Sequence, residues 1–407
     1  MDRRDLLEAM FRAGVAACHP ARVLPQYLPE PPPRRTILLA VGKGAATMAK
    51  AVEKAWPGPL TGIAVAPHGT HELLQRIVLL TAAHPVPDEA SIAAAERLLA
   101  LAAGAGPDDL VLFLLSGGAS ALACLPAQGL DLEEKKRLTF ALLRSGTPIE
   151  QINCVRRHLS AIKGGRLGAA AQPARLVTLA ISDVVGDRPE DIGSGPTAAD
   201  ASTVAEAQAI LAAHGLHATH WSESVKPAET ERWRADYRIV ARSRDALEAA
   251  AALAVSRGYS PKLSETAGEA RDVARVHAAL ALAAHREGRR TAFISGGELT
   301  VTVRGPGSGG PNREYALALA LALDGTEGIA ALAADSDGID GIDGSADAAG
   351  AFVDPGTLRR ARAAGLDPVA ALDTNGSGPF FAALGDALVT GATGTNVNDI
   401  RIILVDP

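Results

Sequence analysis

Five short segments of the chain join residue types that phosphate chemistry needs: Gly42-Lys43-Gly44, Ser116-Gly117-Gly118, Asp183 to Asp187, Ser295-Gly296-Gly297 and Asp335 to Asp340. Three are small and glycine-rich, so their backbone N–H groups are open to an anion. Two gather carboxylates, which repel one another unless a cation or substrate offsets the charge. Together they suit an anionic phosphate ligand with a divalent cation. A turn of solvated acids is the plain alternative for either acidic loop. Lys43, between two glycines, sets a flexible cation beside helix N-terminal amides. It is not part of a Walker A loop, because no G-x-x-x-x-G-K-[ST] surrounds it. A dinucleotide fingerprint is also incomplete: Thr47 replaces the third glycine, and the next strand ends in Ala66-Pro67-His68 without an acid. Ser116 lacks the G-x-S-x-G elbow of a nucleophile.

Other motifs carry less. Ser160-Ala-Ile-Lys163 fits S-x-x-K, but no S-D-N accompanies it. His214, His217 and His220 recur every third residue without an H-E-x-x-H. Arg156-Arg157-His158 with Lys163 and Arg166 reads as a solvated helix face, an anion-facing arginine being the sharper alternative. The tract Arg304 to Pro311 holds four glycines and is long for a turn.

Elements must position these segments, and apolar strands alternating with alanine-rich helical runs supply them. Strand patterns cover 36–41, 61–66, 110–115, 176–181, 237–241, 291–294, 299–304, 329–333 and 400–405. Each of the five segments stands just after such a strand, where open α/β sheets bind ligands. Intervening helices predict an α/β fold with largely parallel sheet. The polar stretch 213–235 marks a boundary, giving domains 1–225 and 237–407 and leaving open whether the last segment packs back on the first domain. Leu114-Leu-Ser-Gly-Gly-Ala-Ser120 echoes Phe293-Ile-Ser-Gly-Gly-Glu-Leu299, as two related halves or as two similar strand–turn units.

Composition narrows the classes. Of 407 residues, 47% are apolar and 21% charged, so the chain is neither disordered nor a disulfide-rich miniprotein. A net charge of −6 and few aromatics exclude a bulk basic field or a stacking platform for nucleic acid. Three scattered cysteines, Cys18, Cys124 and Cys154, fit free thiols in a reducing cytoplasm. The first fourteen residues read as an amphipathic helix rather than a signal peptide, and no segment reads as a membrane span. Oligomeric state is not legible.

Ten stretches in order resemble the bacterial glycerate 2-kinases whose C-terminal part is the MOFRL domain, proteins also labelled hydroxypyruvate reductases. They are Val41-Gly-Lys-Gly-Ala45, His84-Pro-Val-Pro-Asp88, 115–120, 155–165, 181–187, 192–197, 294–298, Asn312-Arg-Glu314, 335–341 and Thr395-Asn-Val-Asn-Asp399. The resemblance implies a larger N-terminal Rossmann-like parallel-sheet domain, a smaller C-terminal MOFRL-type domain and an active site in the cleft between them. It implies ATP-dependent phosphorylation of D-glycerate at its 2-hydroxyl with Mg²⁺, and Lys43 matches the family's lysine thought to act in catalysis. The family pattern Gly-Gly-Arg-Asn-Gln-Glu stands here as Gly309-Gly310-Pro311-Asn312-Arg313-Glu314, so its arginine falls on Pro311. The expected catalytic residues are Lys43, Asp183 and Arg313. Gly42, Gly44, Ser116, Gly117, Gly118, Ser295, Gly296 and Gly297 are expected to hold phosphate, and Asp183, Asp187 and Asp335 the metal. The competing readings are an NAD(P)H-dependent hydroxypyruvate reductase and a non-catalytic ligand-binding regulator.

Overall fold

The computed structural model describes residues 2–341 and 348–407, so Asp343 of the second acidic loop lies outside the described residues. The chain divides into two compact units: Pro20–Ala241, and Met1–His19 together with Arg242–Pro407.

In the first unit, strands β1 (Thr36–Val41), β2 (Leu60–Pro67), β3 (Ile77–Ala82), β4 (Leu110–Leu115), β5 (Arg175–Ile181) and β6 (Ala235–Ala241) form one sheet. Its order is β3-β2-β1-β4-β5-β6, with every neighbouring pair parallel. Every residue of β1 and β4 is buried, as strands covered on both faces must be. Ile37, Leu39, Val111 and Phe113 share a core with Ala94, Ala95 and Leu98 of the helix Glu89–Ala103. That helix starts at a reciprocal capping box between Asp88 and Ser91. This is the expected Rossmann-like parallel sheet.

The boundary falls elsewhere than composition suggested. Residues 237–241 were expected to open a second series, yet β6 closes the first sheet, pairing with β5 from Leu176 opposite Ala235. The polar stretch before it is stitched into the same unit. Ser222 N donates to His158 O (2.9 Å), Val225 N to Gly164 O (2.9 Å), and Arg166 Nε to Ser222 Oγ (3.0 Å). Its hydrogen bonds are to distant loops, which leave no local periodicity to read.

In the second unit, β7 (Ser260–Glu265), β9 (Thr291–Gly296), β11 (Ile329–Asp335), β12 (Ala348–Val353), β13 (Ala387–Val389) and β14 (Asp399–Val405) form a second sheet, ordered β13-β12-β11-β14-β9-β7. The short β8 (Gly268–Glu269) and β10 (Leu299–Thr300) pair with each other. Parallel sheet was expected, and β8 and β10 do pair that way, but among the described residues of the six-stranded sheet only β7 and β9 are parallel; its other four pairings are antiparallel. β14 contributes two of these: it follows β13 across residues 390–398 without a crossover helix, runs back against it, and enters between β11 and β9 antiparallel to both. The expected strand 299–304 is cut to two residues, because Arg304 N and Gly305 N bond Asn375 Oδ1 (2.6 and 3.1 Å) instead of a ladder.

The last segment, β14, lies central in this second sheet. The helix Arg3–Ala17 joins this unit too, although the expected domain 1–225 contained it. Arg3 pairs with Asp406 and Arg4 with Asp386, each at 2.7 Å, and Thr395 Oγ1 donates to Cys18 O at 2.9 Å. Among the described residues, no helix is long and apolar enough to cross a membrane.

Candidate functional site

In the first unit the chain leaves β1 toward β2 and β3 on one side, while β4 lies on the other. The crevice outside the carboxyl ends of such neighbours is where open α/β sheets take ligands. Both glycine turns of this unit are there. Lys43 N donates to Gly117 O (2.8 Å) and Gly44 N to Ser116 Oγ (3.0 Å). Gly42 sits at φ +135°, and a Cβ on it would come within 2.1 Å of Ser116 Oγ and 2.5 Å of the Ser116 carbonyl oxygen. Only glycine lets the two turns touch in this way. A Cβ on Gly118 would meet His84 Cδ2 at 2.9 Å and Lys43 Cγ at 3.3 Å, so both side chains flank that glycine. The helices Ala45–Ala55 and Ala119–Leu122 start from Gly44 and Gly118, and no side chain caps either. Their first amides and dipoles favour negative charge.

Asp183 follows β5, the parallel neighbour of β4, so it reaches the same edge. Val184 N donates to Ser182 Oγ (3.3 Å) and Asp187 N to Val184 O (3.1 Å). Asp187 takes a left-handed φ of +53° in this turn. Both aspartates are half-buried. The structure thus brings Gly42, Lys43, Gly44, Ser116, Gly117, Gly118 and Asp183 to one edge of this sheet and places His84 beside them. Sequence reading missed His84 as a site residue because β3, which ends two residues before it, was not recognised.

The basic run is not a solvated face. Arg157 is buried and pairs with Asp191 (3.2 Å) and Asp200 (3.0 Å). His158 and Lys163 are buried as well. Lys163 Nζ donates to Ser120 O (2.9 Å) and Ala123 O (3.0 Å), and burial pulls its pKa down to about 7. These cations fix the loops behind the glycine turns.

In the second unit, Ser295-Gly296-Gly297 ends β9, Asp335 ends β11, and β14 begins between them at Asp399. Asp335 lies opposite Asp399, and Ser295 opposite Arg401. Next to them starts the helix Pro311–Leu323, whose own N-cap Gly310 offers no side chain. Asp340 caps it from outside: Oδ1 accepts from Asn312 N and Oδ2 from Arg313 N, each at 2.9 Å. Oδ2 also accepts from Arg313 Nε at 3.0 Å. Burial pushes the Asp340 pKa up to about 6 despite these partners. Asn312 Nδ2 donates to Asp399 Oδ1 (2.6 Å), while its buried Oδ1 has no hydrogen-bond partner among the described residues. Burial raises the Asp399 carboxyl as well.

Arg313, expected to be catalytic, is buried and ion-paired to Asp340. Its side chain orders the acidic loop. The glycines of the long tract permit close backbone approach: a Cβ on Gly307 would meet Thr374 O at 2.4 Å, and one on Gly310 would meet Asp340 O at 2.3 Å. The two echoing turns differ, since Ser116-Gly117-Gly118 opens a helix whereas Ser295-Gly296-Gly297 leads into β10. Asn312, Asp399 and Arg401 were not foreseen as site residues, and Asp340 only as part of the acidic segment 335–340. The in-order motifs Asn312-Arg-Glu314 and Thr395 to Asp399 were the available signal.

Among the described residues, no group of three or more His, Cys, Asp or Glu could hold a metal unaided. His214 Nε2 meets Thr147 Oγ1 at 2.9 Å instead. Mg²⁺ needs no such cage, since it is commonly held by one or two carboxylates together with substrate phosphates and water. Within the first unit Asp183 and Asp187 follow β5, and within the second Asp335 ends β11, so each unit by itself offers carboxylates of that kind.

A family model for the domain of unknown function DUF4147 matches residues 6–228, and one for the MOFRL family matches residues 291–399. A protein of Agrobacterium vitis bearing a hydroxypyruvate reductase name is 47% identical, covering 99% of this chain and 94% of its own. The D-glycerate 2-kinase of Thermotoga maritima is 40% identical, covering 99% of this chain and 98% of its own. A crystal structure of glycerate kinase from Thermotoga maritima superposes with a TM-score of 0.87 at 37% identity, covering 98% of this chain and 99% of that one. The chain belongs to the glycerate 2-kinase family, in which a DUF4147 domain is followed by a MOFRL domain.

Proposed function

We propose that the protein transfers the γ-phosphoryl group of ATP to the 2-hydroxyl of D-glycerate, giving 2-phosphoglycerate and ADP. The observation that carries this reading is Lys43 between two glycine turns at the point where the strand order reverses, with Asp183 on the same edge. Phosphoryl transfer needs positioning and charge neutralisation more than covalent chemistry. Turn amides hold phosphate oxygens, and Lys43 neutralises charge that builds during transfer. Asp183 orients the hydroxyl or takes its proton. The candidate carboxylates for Mg²⁺, which when bound would offset phosphate charge, are Asp183 and Asp187 within the first unit and, separately, Asp335 within the second. Arg313 acts through Asp340, holding the second acidic loop in place. Three buried free cysteines fit a reducing cytoplasm.

The strand order also suits a dinucleotide, which keeps hydroxypyruvate reduction as the competing reading. Against it, β2 ends in Pro67-His68 where an acid would hold the ribose. Phosphorus NMR of the protein with ATP, Mg²⁺ and D-glycerate tests the proposal. A 2-phosphoglycerate signal supports it. A 3-phosphoglycerate signal overturns the regiochemistry, and folded protein that spends no ATP but oxidises NADH with hydroxypyruvate overturns the kinase reading.

A further inference from the structure

Arg401 is a buried arginine in the middle of a sheet, on the central strand β14. Its side chain is 0% exposed, and that of Asp399, its ion-pair partner, is 5% exposed. A guanidinium carries five N–H donors, and here five acceptors meet them. Nε donates to Ser295 Oγ (3.2 Å). One terminal nitrogen donates to Gly297 O (3.2 Å) and Asp399 Oδ2 (2.7 Å). The other donates to Thr266 O (3.1 Å) and to Gly296 O. Three of the five acceptors belong to the turn Ser295-Gly296-Gly297.

We infer that Arg401 is the positioning residue of a phosphate cradle made by this turn. Peptide groups are planar and trans, so a carbonyl drawn to one side sends the next N–H to the other. With Gly296 O and Gly297 O both held on Arg401, the N–H groups of Gly297 and Glu298 face away from it. Thr266 N, which also donates to Gly296 O (3.0 Å), locks the first of these peptides. Gly297 is left-handed at φ +86°, and a Cβ there would strike Thr266 O at 2.6 Å. The turn is therefore fixed before any ligand arrives, and such preorganisation makes backbone amides effective against phosphate charge. The ligand class is a phosphate group of the nucleotide. The inference deepens the proposed function and rests on it for the identity of that nucleotide.

Arg401→Lys keeps the charge beside Asp399 but has three donors in place of a planar fork. Loss of one or two charge-assisted bonds predicts a rise of about 10- to 100-fold in the KM for ATP and in the Kd for ADP measured by calorimetry. The KM for D-glycerate stays within about two-fold, a split that general loosening of the unit does not produce. Should that variant not fold, Asp399→Asn with Arg401→Gln leaves a neutral hydrogen-bonded pair and is read by the same ADP titration. An unchanged ADP Kd in a folded variant, or equal rises in both KM values, overturns the inference. ADP binding is read without turnover, so parent protein that binds ADP yet leaves D-glycerate untouched sinks the kinase reading alone. Parent protein that binds no ADP overturns the cradle.

Discussion

Replacing Asp340 with alanine removes the carboxylate that holds Arg313 and caps the helix Pro311–Leu323. Both side chains are shut off from water, Arg313 at 3% exposure and Asp340 at 0%. Deleting one partner of a buried ion pair costs about 3–5 kcal/mol, because the remaining charge stays buried. Losing the cap on the Asn312 and Arg313 amides adds about 1 kcal/mol. For a unit of this size each kcal/mol moves the melting temperature by about 2–4 °C. The transition of this unit in a calorimetric scan is therefore expected to fall by roughly 10–20 °C. Hydrogen exchange of the 311–323 peptide reports the lost cap directly. Replacing both partners with apolar side chains, Asp340→Leu with Arg313→Met, removes the stranded charge and is expected to recover much of the loss. An Asp340→Ala protein that melts within about 2 °C of the parent refutes the reasoning. So does a double variant no more stable than the single one.

Lys43→Ala is expected to lower kcat by about 100-fold or more while the melting temperature stays put, since the proposed role of the side chain is to neutralise charge in transfer rather than to support the fold. Near-normal turnover removes Lys43 from the mechanism. Gly42→Ala drives a Cβ to 2.1 Å from Ser116 Oγ and 2.5 Å from its carbonyl. The two turns must separate, so the Kd for ADP rises in calorimetry together with a loss of stability, and unaltered binding would falsify the shared-cradle geometry. Lys163 has its pKa pulled by burial from 10.5 to about 7. Between these values the unfolded chain binds the proton that the folded chain has released, so Lys163 makes stability rise with pH through that window. Lys163→Met is expected to flatten that rise, as read from urea midpoints at pH 7 and pH 10.

The first unit was legible at β1, β4 and β5, which are apolar runs buried along almost their whole length and lead into glycine or acidic turns. Periodicity and turn chemistry pointed the same way there. The second unit was less so, for a reason visible in β12. Its sequence, Ala348-Ala-Gly-Ala-Phe-Val353, has few of the β-branched residues that mark strands. Without β12 and β13 the reversal that makes the sheet antiparallel could not be foreseen. The helix Arg3–Ala17 was recognised as a helix, but the unit it joins depends on salt bridges to Asp386 and Asp406, hundreds of residues away.

The site residues divide along the same line. Lys43, the glycine turns and Asp183 announce themselves, because their types are unusual at the ends of strands. Arg401 and Asp399 do not, since Asp-Ile-Arg at the start of a strand reads as polar alternation on an exposed edge. Their meaning lies in burial: a guanidinium with all five donors met inside a sheet centre is costly to desolvate unless something needs its geometry held. The same argument reassigns Arg313. As a sequence it is an arginine displaced from a motif, but in the folded unit its charge is committed to Asp340. Both buried arginines, Arg313 on Asp340 and Arg401 on Asp399 and the Ser295-Gly296-Gly297 turn, thus hold loop backbone in place.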